Sequence, residues 1–487
     1  MNINRNHRHL EFMAAALLLV TFFGYFAVRI WDIDFWWHIA AGREIVAAGA
    51  IPSRDPFGVY DAANNWGQTV LKSQWLGQVL LYWIYRFLGL DGIIYFRAAL
   101  LTACLGIVYW RCRIANAGLM PTMLILALAG IVISTHTGER PQLFSFAYLS
   151  LTFLLIDLHL QTTRDWPLYL LPPLFLVWAN SHGGVVYGEA MLVLFGGSRL
   201  LERMIGDGTR TLVPDKKILF VIGLCIAALL IAPNGLTTLK YIAFPENQLI
   251  RDRMSEYMSP WSLWPETIYY WIFFGICIIS LPGFFNRAYF KQGILVVSAA
   301  LISLTAYRYI PLFILLAAPY IASSIGRIFR RIPVPQTAVS MTVIAVSLLF
   351  LVYGFKQNRV FQHGIMESKF PVAETALIKA NHLTGRMFNT MNWGGYLTWN
   401  LSPAVTVFLD GRVLDPNRIE AYSNILWLTP EGRQFLEQGS FDLVLIPPGN
   451  SFTGERYPLV DYLLNSPDWK IVYQSSSGYL FTRAHAS

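Results

Sequence analysis

The sequence predicts an α-helical polytopic membrane protein of about eleven transmembrane helices, with a large first outer loop containing interfacial helices and a small C-terminal α/β domain. Three observations carry this prediction. Hydrophobic residues make up 55% of the 487 and charged residues only 14%, with aromatics at 15%, which is too apolar for an ordinary soluble protein. Apolar runs of near-spanning length recur from residue 12 to residue 353. From about residue 355 the texture changes: "PVAETALIKANHL" has helical spacing, while "VTVFLD", "FDLVLIPP" and "WKIVYQ" read as strands.

Taken in order, the spans fall near residues 12–30, 93–110, 119–135, 143–160, 168–179, 185–201, 218–232, 268–284, 293–307, 311–325 and 337–353. The first follows "NRNHRH" and lacks a small-residue cleavage site, so it reads as a retained helix rather than a signal peptide. With a cytoplasmic N-terminus, Arg5 and Arg8, Arg111 and Arg113, Arg164, the group Arg203, Arg210, Lys216 and Lys217, then Arg287 and Lys291, and Arg327, Arg330 and Arg331 fall on one side. That pattern requires "QWLGQVLLYWIYRFLG", residues 74–89, to lie on the outer leaflet, with Leu76, Val79, Leu80 and Trp83 as its apolar face. The result is a transmembrane domain over 1–354 with outer loops at 31–92 and 233–267, and an outer-facing α/β domain over 355–487.

The net charge of +8 is scattered in short clusters between apolar runs, which suits cytoplasmic loops and gives no support to nucleic-acid binding. The four cysteines, Cys104, Cys112, Cys225 and Cys277, sit in or beside apolar runs, so no disulfide framework is available. No GxxxxGK[ST], CxxC or HExxH occurs, nor a GxGxxG after a strand, which leaves nucleotide hydrolysis, thiol redox chemistry and zinc proteolysis without support. No internal repeat is evident and most charges lie at span ends, Glu189 and Arg97 excepted, which weighs against a transporter.

Chemistry concentrates in the outer segments. "WDIDFWWHIAAGR" places Asp32 and Asp34 directly after the first span, with His38 one helical turn beyond Asp34 and tryptophans suited to an interfacial collar. A carboxylate at an apolar rim can act as a general base or a metal ligand. Equally, the two aspartates can cap the following helix and pair with Arg29 or Arg43; the residue pattern leaves both roles open. "THTGERPQLFS" puts Glu139 and Arg140 at an outer span end, "WANSHGGVVYGE" puts His182 at a tight outer turn, and "AYRYIPLF" puts Arg308 at another. Cations at such a rim suit a phosphate, though any one of them can simply snorkel to the interface.

The arrangement resembles the GT-C superfamily of membrane glycosyltransferases. It rests on "DIDFWWHIAAGREIVAAGAIPSRDPF", then "WLGQVLLYWIYRFLG" leading into "FRAALLTACLGIVYWRCR", and covers residues 10–325. Protein O-mannosyltransferases and lipid A aminoarabinose transferases share this layout, and "RPQLFSF", "NSHGG", "PNGLTTLKY", "SEYMSP", "YRYIP", "FNTMNWGGYL" and "FLDGR" resemble segments of bacterial relatives. The resemblance implies a bacterial inner-membrane enzyme that transfers a sugar from a polyprenyl-phosphate donor to a lipid, glycan or protein acceptor at the outer face. It implies an acidic base in the first outer loop, matched here by Asp34 with Asp32 as partner or metal ligand. It also implies cations at the phosphate, for which Arg308, His182, Arg140 and Lys240 are the candidates, with Arg43 and His38 near the acidic motif. Some members of the superfamily use a divalent metal; Mg or Mn would fall to Asp32, Asp34 and Glu256. Glu256, Asp410 and Arg412 are candidates for a second carboxylate or an acceptor contact, a turn salt bridge being the alternative for the last two. A GT-C-like protein without catalysis, serving as a scaffold or glycan-binding component of surface-polymer assembly, and a transporter are the competing functions.

Overall fold

A computed structural model describes residues 2–57, 71–205, 215–235, 237, 254–330, 334–412, 416–439, 441–450 and 453–484. The described chain is predominantly helical and divides into two compact units. One comprises Met1–Arg29, Leu90–Thr137 and Pro141–His363; the other comprises Ile30–Gly89, Gly138–Arg140 and Gly364–Ser487.

Among the described residues, five helices are long and apolar enough to cross a membrane by length and composition: Arg8–Phe26, Trp75–Ile114, Gln142–Thr162, Tyr307–Ile328 and Gln336–Lys356, the second of which begins in the other unit. Shorter apolar helices cover Leu119–Ser134, Ile268–Phe284 and Phe290–Ser303. Each predicted span is helical over most of its length. Asn2–Phe26 packs along Gln336–Lys356, and Ile310–Ile328 is buried at every residue from Ile310 to Ile325. Small residues allow close approach: a Cβ at Gly130 would sit 2.3 Å from the Phe22 ring. The Trp75–Ile114 segment is two helices joined at Gly89, whose φ of 66° and ψ of −160° break the helical ladder in a region open to glycine.

One charge lies elsewhere than the loop pattern predicts. Arg111 is inside the last turn of Trp75–Ile114 and fully buried. Its Nε donates to Asp157 at 2.7 Å, and its Nη1 donates to the Leu315 carbonyl at 2.9 Å. Pro319 has no N–H to offer the carbonyl four residues earlier, so Arg111 satisfies the acceptor that the proline orphans. Tyr320 completes the cluster by donating to Asp157 at 2.9 Å.

The second unit holds a five-stranded sheet in the order β2-β1-β3-β5-β4, from β1 (Gly385–Asn389), β2 (Val405–Val407), β3 (Leu443–Ile446), β4 (Trp469–Gln474) and β5 (Tyr479–Arg483). β1 runs parallel to both β2 and β3, whereas β5 runs antiparallel to β3 and β4. The three predicted strands are β2, β3 and β4; β1 and β5 are additional. All four residues of β3 are buried, as expected for a strand covered on both faces. Phe388, Val444, Ile446 and Phe481 face a cluster built with tail residues such as Leu436 and Leu459. Met387, Leu443, Leu445 and Leu480 face the opposite cluster, to which the first loop contributes Ala40, Ala41, Phe57 and Leu71. The loop thus supplies core to the tail sheet. Backbone bonds reinforce this: Ile30 N–H donates to Gly364 O at 3.0 Å, and Met366 N–H donates to Ile30 O at 2.8 Å.

Candidate active site at the acidic loop

Ile33 and Asp34 lead directly into the helix Phe35–Ala48, which packs on the tail helix Met391–Leu401. Asp34 occupies the N-cap position, but its side chain makes no capping bond. Instead Asp32 organises the turn: its Oδ1 accepts the Asp34 N–H at 2.9 Å, an Asx-type turn. The Asp32 N–H in turn donates to Glu139 Oε2 at 3.2 Å.

Arg140 pairs with both aspartates. Its Nε lies 2.6 Å from Asp32 Oδ2, and its Nη1 lies 3.0 Å from Asp34 Oδ2. Arg43, one of the arginines expected to pair with them, instead pairs with Glu44 at 3.1 Å and lies over the Trp399 ring. Gly138 makes room for the cluster, since a Cβ there would lie 2.1 Å from Asp32 Oδ2. The two carboxylates differ in access: the Asp32 side chain is 1% exposed and that of Asp34 15%. His38 is buried on the same helix with its ring 3.6 Å from that of Trp37, and the Trp37 indole N–H has no acceptor among the described residues.

Asp410 and Arg412 belong to the same unit. They form the turn salt bridge, with Arg412 Nε 2.9 Å from Asp410 Oδ2, and Arg412 Nη1 reaches Asp55 of the first loop at 2.5 Å. All three are buried. Sequence reasoning missed Asp55 and Gly411. Asp55 sits in "SRDPF" with nothing to single it out, and a glycine flanked by charges reads as an ordinary turn.

His182, Glu256 and Arg308 fall in the other unit. His182 Nδ1 accepts the Gly184 N–H at 3.0 Å and lies 2.7 Å from Ser145 Oγ, which takes the Trp178 indole N–H at 2.8 Å. Acceptance at Nδ1 puts the ring proton on Nε2. Arg308 lies over the Tyr257 ring at 4.7 Å, and Tyr307 N–H ties that turn down through Met258 O at 2.8 Å. Nearby His136 stacks on Tyr307 at 4.2 Å, and burial pushes its pKa down to about 4, so it is neutral at physiological pH. Lys240 lies outside the described residues.

The donor set at the acidic loop does not suit a divalent cation. The Arg140 guanidinium already lies between the carboxylates of Asp32 and Asp34. Among the described residues, no group of three His, Cys, Asp or Glu side chains is placed to hold a metal ion.

No protein-family model matches the sequence, and no curated protein matches it. Solved structures do. ArnT from Cupriavidus metallidurans, bound to undecaprenyl phosphate, matches at 12% identity and a TM-score of 0.56, over 97% of this chain and 98% of that one. The chain shares the fold of that protein. A second structure with this fold is the archaeal oligosaccharyltransferase AglB from Archaeoglobus fulgidus, in complex with an inhibitory peptide and a dolichol-phosphate. It matches at 10% identity and a TM-score of 0.55, over 91% of this chain and 69% of that one. The Archaeoglobus fulgidus oligosaccharyltransferase in complex with Zn and sulfate also shares the fold, at 10% identity, a TM-score of 0.53, and coverage of 97% and 73%.

Proposed function

We propose that the protein is a glycosyltransferase that takes a sugar from a polyprenyl-phosphate-linked donor and transfers it to a lipid, glycan or protein acceptor. The observation that carries this is a pair of loop carboxylates oriented by one arginine, on the GT-C fold, with Asp34 the more accessible of the two. GT-C structures solved with undecaprenyl phosphate and with dolichol-phosphate support the donor class.

In this mechanism Asp34 is the general base. It accepts the proton of an acceptor hydroxyl as the acceptor oxygen forms a bond to the anomeric carbon. The bond from that carbon to the phosphate oxygen breaks, and its electron pair leaves with polyprenyl phosphate. Asp32 holds the backbone of the base through its Asx turn, and Arg140 fixes the base's carboxylate. Developing charge on the leaving phosphate calls for cations, the role assigned to Arg308 and Lys240, with His182 offering its Nε2–H as a neutral donor. The topology that goes with the reaction has about eleven spans, a cytoplasmic N-terminus in the bacterial inner membrane, a transmembrane domain over 1–354 and an outer α/β domain over 355–487. Arg140 bridging both carboxylates also favours a second function, a scaffold whose acid pair is held by an internal cation.

Reconstitution distinguishes the two. The protein in liposomes, supplied with polyprenyl-phosphate-linked sugars and acceptors extracted from cell envelopes, is expected to release polyprenyl phosphate in step with sugar transferred. Donor recovered intact in the presence of those acceptors would favour the scaffold.

A further inference from the structure

β1 sits between two parallel neighbours, β2 and β3, so the chain reverses its direction of travel across the sheet at β1. In open α/β sheets the carboxyl ends of the strands at such a point are where a ligand is held. Here that edge holds the acidic loop. Beyond β1, the helix Met391–Leu401 meets the Asp34 helix so closely that a Cβ at Gly395 would lie 3.0 Å from Ile33 O and 3.3 Å from Trp37 N. Beyond β2, the chain is tied to β1 by buried Asn389: its Oδ1 accepts the Phe408 N–H at 2.9 Å, and its Nδ2 donates to Leu409 O at 2.8 Å.

The next three residues are Asp410, Gly411 and Arg412. Arg412 clamps the turn between Asp410 and Asp55. At its tip, a Cβ on Gly411 would lie 1.9 Å from Asp34 Oδ1 and 3.2 Å from Trp37 Nε1. The Asp34 carboxylate is therefore bracketed, with Arg140 on Oδ2 and the backbone of Gly411 against Oδ1.

We propose that the Asp410–Gly411–Arg412 turn of the C-terminal domain positions Asp34, so that the tail contributes to the transfer reaction by aiming the base. The inference rests on the assignment of Asp34 as that base. Gly411 acts because it has no side chain: a methyl there must displace the carboxylate, and misplacing a reacting group by about 1 Å costs about 100-fold in rate. Asn389, Arg412 and Asp55 act one step further back, by holding the turn.

The test compares Gly411→Ala, Arg412→Lys and Asp34→Asn in the full-length protein, reconstituted in liposomes. Gly411→Ala is expected to lower kcat about 100-fold, with donor KM and the affinity for undecaprenyl phosphate within about twofold of wild type. Arg412→Lys keeps the charge but cannot span Asp410 and Asp55 together, and is expected to lower kcat about 10-fold with the same unchanged binding. It keeps the test decisive if Gly411→Ala folds poorly. Folded variants at Gly411 and Arg412 that keep wild-type kcat while Asp34→Asn is inactive would overturn the positioning role and leave the base assignment standing. Loss of undecaprenyl-phosphate affinity in parallel with kcat would overturn it too, since that marks collapse of the whole site. Wild-type turnover by Asp34→Asn would remove Asp34 as base, and this inference with it.

Discussion

Two of the arginine–aspartate pairs among the described residues differ in what surrounds them. In the first unit, Arg111 and Asp157 are 0% and 9% exposed; Arg111 also donates to Leu315 O and Asp157 also accepts from Tyr320. In the loop-and-tail unit, Arg140 is 27% exposed and Asp34 15%. The chemistry of the pairs is the same, but only the second presents a carboxylate to an incoming molecule. A sealed ion pair holds helices in register, whereas a partly open one keeps a carboxylate oriented and within reach.

The sealed pair gives the larger expected effect on stability. Arg111→Met leaves Asp157 buried without its cation and frees the Leu315 carbonyl, at a cost of about 3–5 kcal/mol. Thermal melting in detergent measures this, and turnover per folded molecule should be unchanged. The double variant Arg111→Met with Asp157→Leu is expected to regain much of that loss, because no uncompensated charge remains. If the double variant melts no higher than the single, the pair is not what holds those helices.

The open pair gives a smaller change of a different kind. Arg140→Lys keeps a positive charge but loses the planar fork that meets Asp32 and Asp34 together, so turnover should fall about 10-fold with melting within about 1 kcal/mol of wild type. A stability loss as large as that of Arg111→Met, with turnover per folded molecule preserved, would make the two pairs equivalent and remove the contrast.

How much of this was legible in the sequence varies with how local the signal is. The apolar helices were legible because each apolar run carries its own hydropathy, and β2, β3 and β4 because they are short runs rich in β-branched, aliphatic or aromatic residues. β1, "GRMFN", is short and carries Arg386 in mid-strand, so only its parallel neighbours reveal it. The acidic motif and Arg140 were each visible as charges at a membrane rim, but not their pairing. That contact joins residues 108 apart and depends on Gly138. Arg111 was misplaced for a related reason: a cation at a span end looks the same in sequence whether it faces a loop or fills an acceptor freed by a proline on another helix. Gly411 was invisible because what matters there is the absence of a side chain, meaningful only once Asp34 lies against it.

The central claim is that Asp34 is the base of a transfer from a polyprenyl-phosphate donor, and one measurement bears on it most directly. Release of polyprenyl phosphate is followed for wild type and for Asp34→Asn, reconstituted side by side with matched melting temperatures. The account predicts that the variant loses about 100-fold or more of the wild-type rate while binding undecaprenyl phosphate normally. Release at close to the wild-type rate by Asp34→Asn would contradict it.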